Sequence, residues 1–187
     1  RVLGRYFKKV LTSLLHAGVG SRQLEAQVQA LEDGEEYPWS EFMQALGLAS
    51  ASVRHRDLVA IGKRIMASSK AEFERWGFDS AEAILADFDA PFGASIIDPP
   101  DHERTITAKY ERGYAVFRIG HAHPAGLIES YLRGVVEVYG GRVDDLACHE
   151  VVMNGQPFHL FEMRWWTPAR PERRRRAPSG PYVRKVA

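Results

Sequence analysis

Two histidines near the middle of this 187-residue sequence have a spacing that could support metal binding. His121 and His123 are separated by one residue, so both imidazoles could reach one ion from an extended segment. No third ligand follows at a recognisable spacing, and His123 directly precedes Pro124, where it would equally suit a position near the start of a helix. The sequence therefore predicts no metal site.

A second group of reactive side chains lies on either side of Asn154-Gly155, a dipeptide that favours a two-residue hairpin turn. Such a turn would place Glu150 opposite His159 and Cys148 opposite Phe161. The facing Glu150 and His159 are either a tuned acid–base pair or an ion pair at a strand end, and the ion pair is the preferred interpretation. Cys148 has apolar neighbours and is predicted to be a small core residue rather than a nucleophile.

No glycine-rich phosphate loop, nucleophile elbow or paired-carboxylate motif occurs in the sequence. We therefore assign no catalytic residue. This favours a non-enzymatic role and leaves enzymatic activity open.

The hydrophobic pattern predicts an α+β fold, with a helical N-terminal half packed on a four-stranded antiparallel sheet that one helix crosses. The predicted parts are a helical half over residues 1–88, a connecting loop over 89–103, a β-β-α-β-β unit over 104–166 and a basic flexible tail over 167–187. In the helical half, 52–69 and 70–76 are predicted to be separate helices.

The helix predicted over Pro124–Tyr139 has an unusually wide apolar arc. Such an arc indicates burial against the sheet and against a second surface, which must come from the helical half. Gly134 lies in the middle of this helix, where glycine costs about 1 kcal/mol relative to alanine. A close backbone contact would explain it, and Gly62 suits a similar crossing.

Aromatic side chains of the helical half and its exit loop could line a pocket for a flat apolar ligand, or could be ordinary core; they are Trp39, Trp76, Phe78, Phe88 and Phe92. We expect the pocket to lie where the wide-faced helix and the sheet meet the helical half. Its predicted ligand-binding residues are Trp76, Phe78, Phe88, Phe117, His121, His123 and Tyr131. The two histidines are expected at its rim as polar contacts.

Charge and composition restrict the cellular setting. Seven basic residues and one acidic residue follow Trp166, which leaves 18 basic and 23 acidic residues in the rest of the chain. The basic tail makes nucleic-acid binding an alternative to a solvated linker. The sequence has neither an opening signal peptide nor an apolar run of membrane-spanning length, so a cytoplasmic protein without a membrane partner is expected.

Several segments resemble the H-NOX (haem-nitric-oxide/oxygen-binding) superfamily, which includes 4-vinyl-reductase-like domains. These segments are Phe117-Arg-Ile-Gly120, Pro124–Gly141, with its Gly126-Leu127, and the hairpin ending at Met163. The resemblance implies a small-molecule sensor domain with a helix lying on a four-stranded sheet. The family's Tyr-x-Ser-x-Arg haem motif precedes that Gly-Leu pair, whereas this sequence has Gly120-His-Ala-His-Pro124 there, which points to the haem-free branch.

The sequence and the resemblance together predict a regulatory ligand-binding domain of a signalling protein. Its partners would be a small apolar or flat ligand, and either a second copy of the chain or an output domain. One alternative is a haem-based sensor of nitric oxide or oxygen with His121 or His123 as the axial ligand, so the cofactor stays open. The other alternative is a regulator that binds nucleic acid through its tail.

Overall fold

The computed structural model describes residues 1–16, 22–51, 53–93 and 96–168. Its N-terminal half contains a two-residue strand β1 (Val2–Leu3) paired with β2 (Glu36–Tyr37), together with six helices. The helices are α1 (Gly4–His16), α2 (Arg22–Ala30), α3 (Trp39–Ala51), α4 (His55–Arg75), α5 (Ala81–Ala86) and α6 (Ala90–Gly93). A single 3₁₀ turn over Asp101–Glu103 leads into the sheet.

The second half is the predicted β-β-α-β-β unit. Its strands are β3 (Ile106–Glu111), β4 (Tyr114–Gly120), β5 (Arg142–Met153) and β6 (Gln156–Trp166), and helix α7 (Ala125–Val138) lies between β4 and β5. The sheet is antiparallel with the order β3-β4-β6-β5. The predicted α+β fold with a four-stranded antiparallel sheet is confirmed.

The turn at Asn154-Gly155 fixes the register between β5 and β6. Both residues have positive φ, 52° and 76°, as this tight hairpin turn requires. Glu150 consequently pairs with His159 and Cys148 pairs with Phe161, which confirms the predicted pairing.

Helix α7 is buried on both predicted sides, because it contacts β5 and β6 on one side and α4 on the other. Gly62 of α4 and Gly134 of α7 permit this crossing. A Cβ built on Gly134 would lie 2.9 Å from the carbonyl oxygen of Gly62, and one on Gly62 would overlap the backbone of Ser130. The predicted close contact at both glycines is confirmed.

Three details differ from the sequence predictions. Residues 55–75 form one helix, within which the hydroxyls of Ser68 and Ser69 donate to the carbonyl of Ile65 in the preceding turn. The prediction of a buried Cys148 was wrong, since β5 is the edge strand and leaves this residue exposed. The loop predicted over 89–103 contains α6 and the 3₁₀ turn.

Thr167 and Pro168 are the last residues that the structure describes, so the predicted tail lies outside it from residue 169 onward. Among the described helices, none is both long and apolar enough to cross a membrane.

Candidate functional site

A cavity of about 40 Å³ lies between the helical half and α7. Its walls come from α1, from α3, from the segment that joins α5 to β3, from the turn after β4 and from α7. The lining residues are Tyr6, Trp39, Phe42, Leu46, Phe88, Asp89, Ile96, Pro99, Glu103, Arg104, Thr105, His123, Leu127, Ile128 and Tyr131. A space of this size holds a few water molecules or one small molecule.

Three residues that line the cavity have a buried polar atom with no hydrogen-bond partner among the described residues. These atoms are the indole Nε1 of Trp39, the hydroxyl of Tyr131 and Oε2 of Glu103. An unpaired buried polar atom costs about 1–3 kcal/mol, and such atoms are rare in folded proteins. Because all three atoms lie around one cavity, we expect the cavity to bind water or a ligand that can form hydrogen bonds with them.

His123 forms part of the wall and is only 7% exposed. Its Nε2 donates to the backbone oxygen of Glu103 at 3.2 Å, and its ring packs edge-on against Trp39 with the ring centroids 5.5 Å apart. Burial lowers the pKa of His123 to about 4. The imidazole is therefore neutral near pH 7 and is held in place by the backbone.

Four other residues that line the cavity also have a pKa shifted towards the neutral form of the side chain. Burial raises the pKa of Tyr6 and, well above its ordinary value near 10, that of Tyr131. Burial likewise raises the pKa of the Asp89 and Glu103 carboxyls, with Arg104 opposing the shift at Asp89 and His102 opposing it at Glu103. At neutral pH, Tyr131 thus presents an O–H group and Trp39 an N–H group to any occupant.

The structure separates the residues that were predicted to bind a ligand. Phe88, His123 and Tyr131 line the cavity, and Phe117 lies behind Phe88 with the ring centroids 5.4 Å apart. The remaining three residues lie elsewhere. Trp76 lines a separate cleft of about 110 Å³ beside α1 and α4. Phe78 follows the end of α4, where its carbonyl accepts a hydrogen bond from Tyr139, and His121 is exposed.

The predicted set omitted Tyr6, Trp39 and Glu103, which also line the cavity. Tyr6 and Trp39 lie on the apolar faces of predicted helices, and such positions are normally occupied by ordinary core residues. Trp39 was nevertheless among the aromatic residues considered for the pocket. Glu103 lies in a segment without periodicity. Trp39 was the residue from which the site could have been predicted, because a buried indole N–H needs a hydrogen-bond partner.

The cavity does not fit a haem group. Pockets for drug-sized ligands have volumes of roughly 300–1,000 Å³, and haem is larger than most such ligands. His123, the only histidine that lines the cavity among the described residues, already donates its Nε2 to Glu103. We therefore derive no chemistry through a haem in this site.

Several solved H-NOX domains have a similar fold. An oxygen-binding H-NOX domain related to soluble guanylate cyclases superposes with a TM-score of 0.60 at 9% identity, covering 90% of this chain and 96% of that one. The Fe(II) unliganded H-NOX protein from K. algicida gives 0.58 at 11% identity, covering 91% and 100%. The F78L variant of Tt H-NOX also gives 0.58, at 9% identity, covering 92% and 100%.

No protein-family model and no curated protein matches the sequence. The structural comparisons alone show that the chain has an H-NOX-like fold, and the similarity extends over most of its length.

Proposed function

We propose that this chain is the sensor domain of a signalling protein in the cytoplasm, and that it binds a small hydrogen-bond-accepting molecule in the cavity beside α7. The H-NOX-like fold supports a ligand-binding role, because the oxygen complex among its structural neighbours binds a small gas. The Tyr131 hydroxyl and the Trp39 indole N–H line the same cavity and have no partner among the described residues, and these two groups carry the proposal.

The chemistry of the wall restricts the ligand. Most of the lining is apolar, and the cationic Arg104 already interacts with the Asp89 carboxyl, so a charged ligand would lose its hydration and gain little counter-charge. Indole N–H is a donor only, and the neutral phenol of Tyr131 can also donate. A small, neutral molecule with one or two acceptor atoms therefore matches the site better than the small apolar or flat ligand predicted from the sequence.

The cavity is also placed where a ligand could change the conformation. Its wall joins α1 and α3 of the helical half to α7, which lies on the sheet. A ligand that bonds both Trp39 and Tyr131 would connect α3 to α7, and would favour whichever arrangement of the two brings its partners within reach. Through that shift we expect the ligand state to reach an output domain or a second copy of the chain.

The test is a nuclear magnetic resonance titration of the ¹⁵N-labelled protein with acetone, and in parallel with 2-methylpropene, which has a similar shape but no acceptor. We expect acetone to shift the Trp39 indole N–H signal. The other three tryptophans are internal controls. Trp165 is the closest match, because its buried Nε1 is also unpaired among the described residues, yet it lines a different pocket.

Tyr131→Phe keeps the ring and removes the hydroxyl, so this variant should lose the preference for acetone over 2-methylpropene. An unchanged preference in the variant, or equal shifts at Trp39 and Trp165, would contradict the proposed site.

A further inference from the structure

Folding assembles a second polar cluster at the end of the sheet, outside the cavity. On β6, His159 lies between Ile119 of β4 and Glu150 of β5, and His121 is the first residue after β4. We propose that His121, Glu150 and His159 form a binding site for a divalent transition-metal ion, with Zn²⁺ as the ion that this set fits best.

The three side chains converge closely enough to share one ion. One ligand atom from each lies within 4.8 Å of the others, and His121 Nε2 is 3.7 Å from Glu150 Oε1. Zinc bonds of about 2.0–2.2 Å in tetrahedral geometry place neighbouring ligand atoms about 3.3 Å apart. Rotation of the exposed His121 and Glu150 side chains can close the difference, while His159 is buried and fixed by the sheet.

The ligand types decide which ions are favoured. Two imidazoles and one carboxylate suit zinc and related transition metals, whereas calcium and magnesium prefer oxygen ligands alone. Three protein ligands at an exposed position also leave a fourth coordination position for water. An ion pair would require only His121 and Glu150, so the convergence of a second imidazole is what makes this cluster a ligand set.

Cys148 lies next to this cluster and needs to be distinguished from it. Its Sγ is 4.0 Å from His159 Nδ1. The thiol can therefore hold the imidazole in position or join the ligands, and a free thiol can also bind zinc on its own. A decisive experiment has to separate these roles.

The metal site is independent of the proposed cavity ligand, because none of its three residues lines the cavity. The two sites are nevertheless joined by the short turn that carries His121 to the cluster and His123 to the cavity wall. An ion bound through His121 would restrain this turn. Failure of either site in its own experiment leaves the other proposal standing.

The experiment measures Zn²⁺ binding by untagged protein in competition with a chromophoric chelator. We expect one ion per chain, with no displacement by Mg²⁺ or Ca²⁺. His121→Ala and Glu150→Gln should each weaken binding about 100-fold or more, because even changes to residues behind metal ligands typically cost 10- to 100-fold. Both side chains are exposed, so these variants should fold normally, which circular dichroism can verify.

His149→Ala is the matched control, because this exposed histidine is on the same strand but on the opposite face from Glu150. Its zinc affinity should equal that of the parent. Loss of binding in Cys148→Ser with retention in His121→Ala would assign the ion to the thiol and overturn the proposal. Absence of stoichiometric binding, or equal losses in the control and the ligand variants, would overturn it as well.

Discussion

Helix α7 makes two contacts with the helical half that differ sharply in packing. Along the face that contains Ser130 and Gly134, α7 packs against α4 so closely that there is no room for an added Cβ atom. Along the neighbouring face, Leu127 and Tyr131 point to the cavity, where three buried polar atoms have no hydrogen-bond partner in the part of the chain that the structure describes. Because one helix makes both contacts, the empty space is a local feature and not general looseness between the halves.

The largest expected effect comes from filling the tight contact at Gly62. A methyl group there would overlap the side chain and carbonyl of Ser130 on α7, so the facing backbone would have to move. Overpacking of this kind costs about 1–3 kcal/mol and occasionally more, and we expect Gly62→Ala to reach or exceed the upper end of that range. Chemical denaturation measures the change in unfolding free energy.

Gly47→Ala is the control for that experiment, because Gly47 is also helical but a Cβ built there meets no atom within 4 Å. Its stability should be unchanged or higher by up to about 1 kcal/mol from helix propensity. A Gly62→Ala protein as stable as the parent would show that the α4–α7 contact can yield, and the comparison between the two faces would fail.

The burial of Tyr131 beside the cavity should make the stability of the protein depend on pH in the alkaline range. The pKa of Tyr131 is raised well above 10 in the folded protein, so above pH 10 the unfolded chain binds fewer protons than the folded one. Stability should therefore fall as the pH rises above 10, by about 1.4 kcal/mol per pH unit from this group. Urea denaturation between pH 9 and pH 11 would measure the slope.

Tyr131→Phe should reduce that slope, because phenylalanine cannot ionise. An identical slope in this variant would mean that the Tyr131 hydroxyl reaches solvent in the folded state. The cavity would then be open, in contrast to the closed face beside it.

The smallest effect is expected for Gly134→Ala, which sharpens the comparison by probing the same crossing from α7. The new methyl group would lie 2.9 Å from the Gly62 oxygen and 3.0 Å from Met66 Cγ; the flexible methionine can give way, whereas the Gly62 backbone would have to shift slightly. Overpacking then outweighs the helix-propensity gain of about 1 kcal/mol only modestly, so we expect a net loss of about 1 kcal/mol. A variant that unfolds at a higher denaturant concentration than the parent would contradict a contact role for Gly134.

The parts of the fold that obey local rules could be predicted from the sequence. Asn154-Gly155 specified the hairpin and its pairing, and the wide apolar arc of α7 indicated two buried sides. The exposure of Cys148 could not be predicted in this way. Whether the inner face of an edge strand is covered depends on how far a distant helix extends over it.

The candidate sites were less predictable, because their residues are far apart in the sequence. Tyr6, Trp39, Glu103 and Tyr131 meet only after the helical half has packed on the sheet. The hairpin pairing of Glu150 with His159 was predictable, whereas the arrival of His121 beside them depends on where β4 ends. Sequence spacing describes neighbours along one element, and these sites are formed between elements.

The crossing at Gly62 and Gly134 also has a mechanical consequence. Two helices in backbone contact resist sliding past one another, so we expect α4 and α7 to move as one unit, and the partly exposed Lys63–Glu137 ion pair at 2.7 Å also joins them. Helix α4 contains 21 residues and is therefore about 30 Å long. If the proposed ligand beside Tyr131 tilts α7, the displacement would be larger at the far ends of α4, and another protein surface could detect it there.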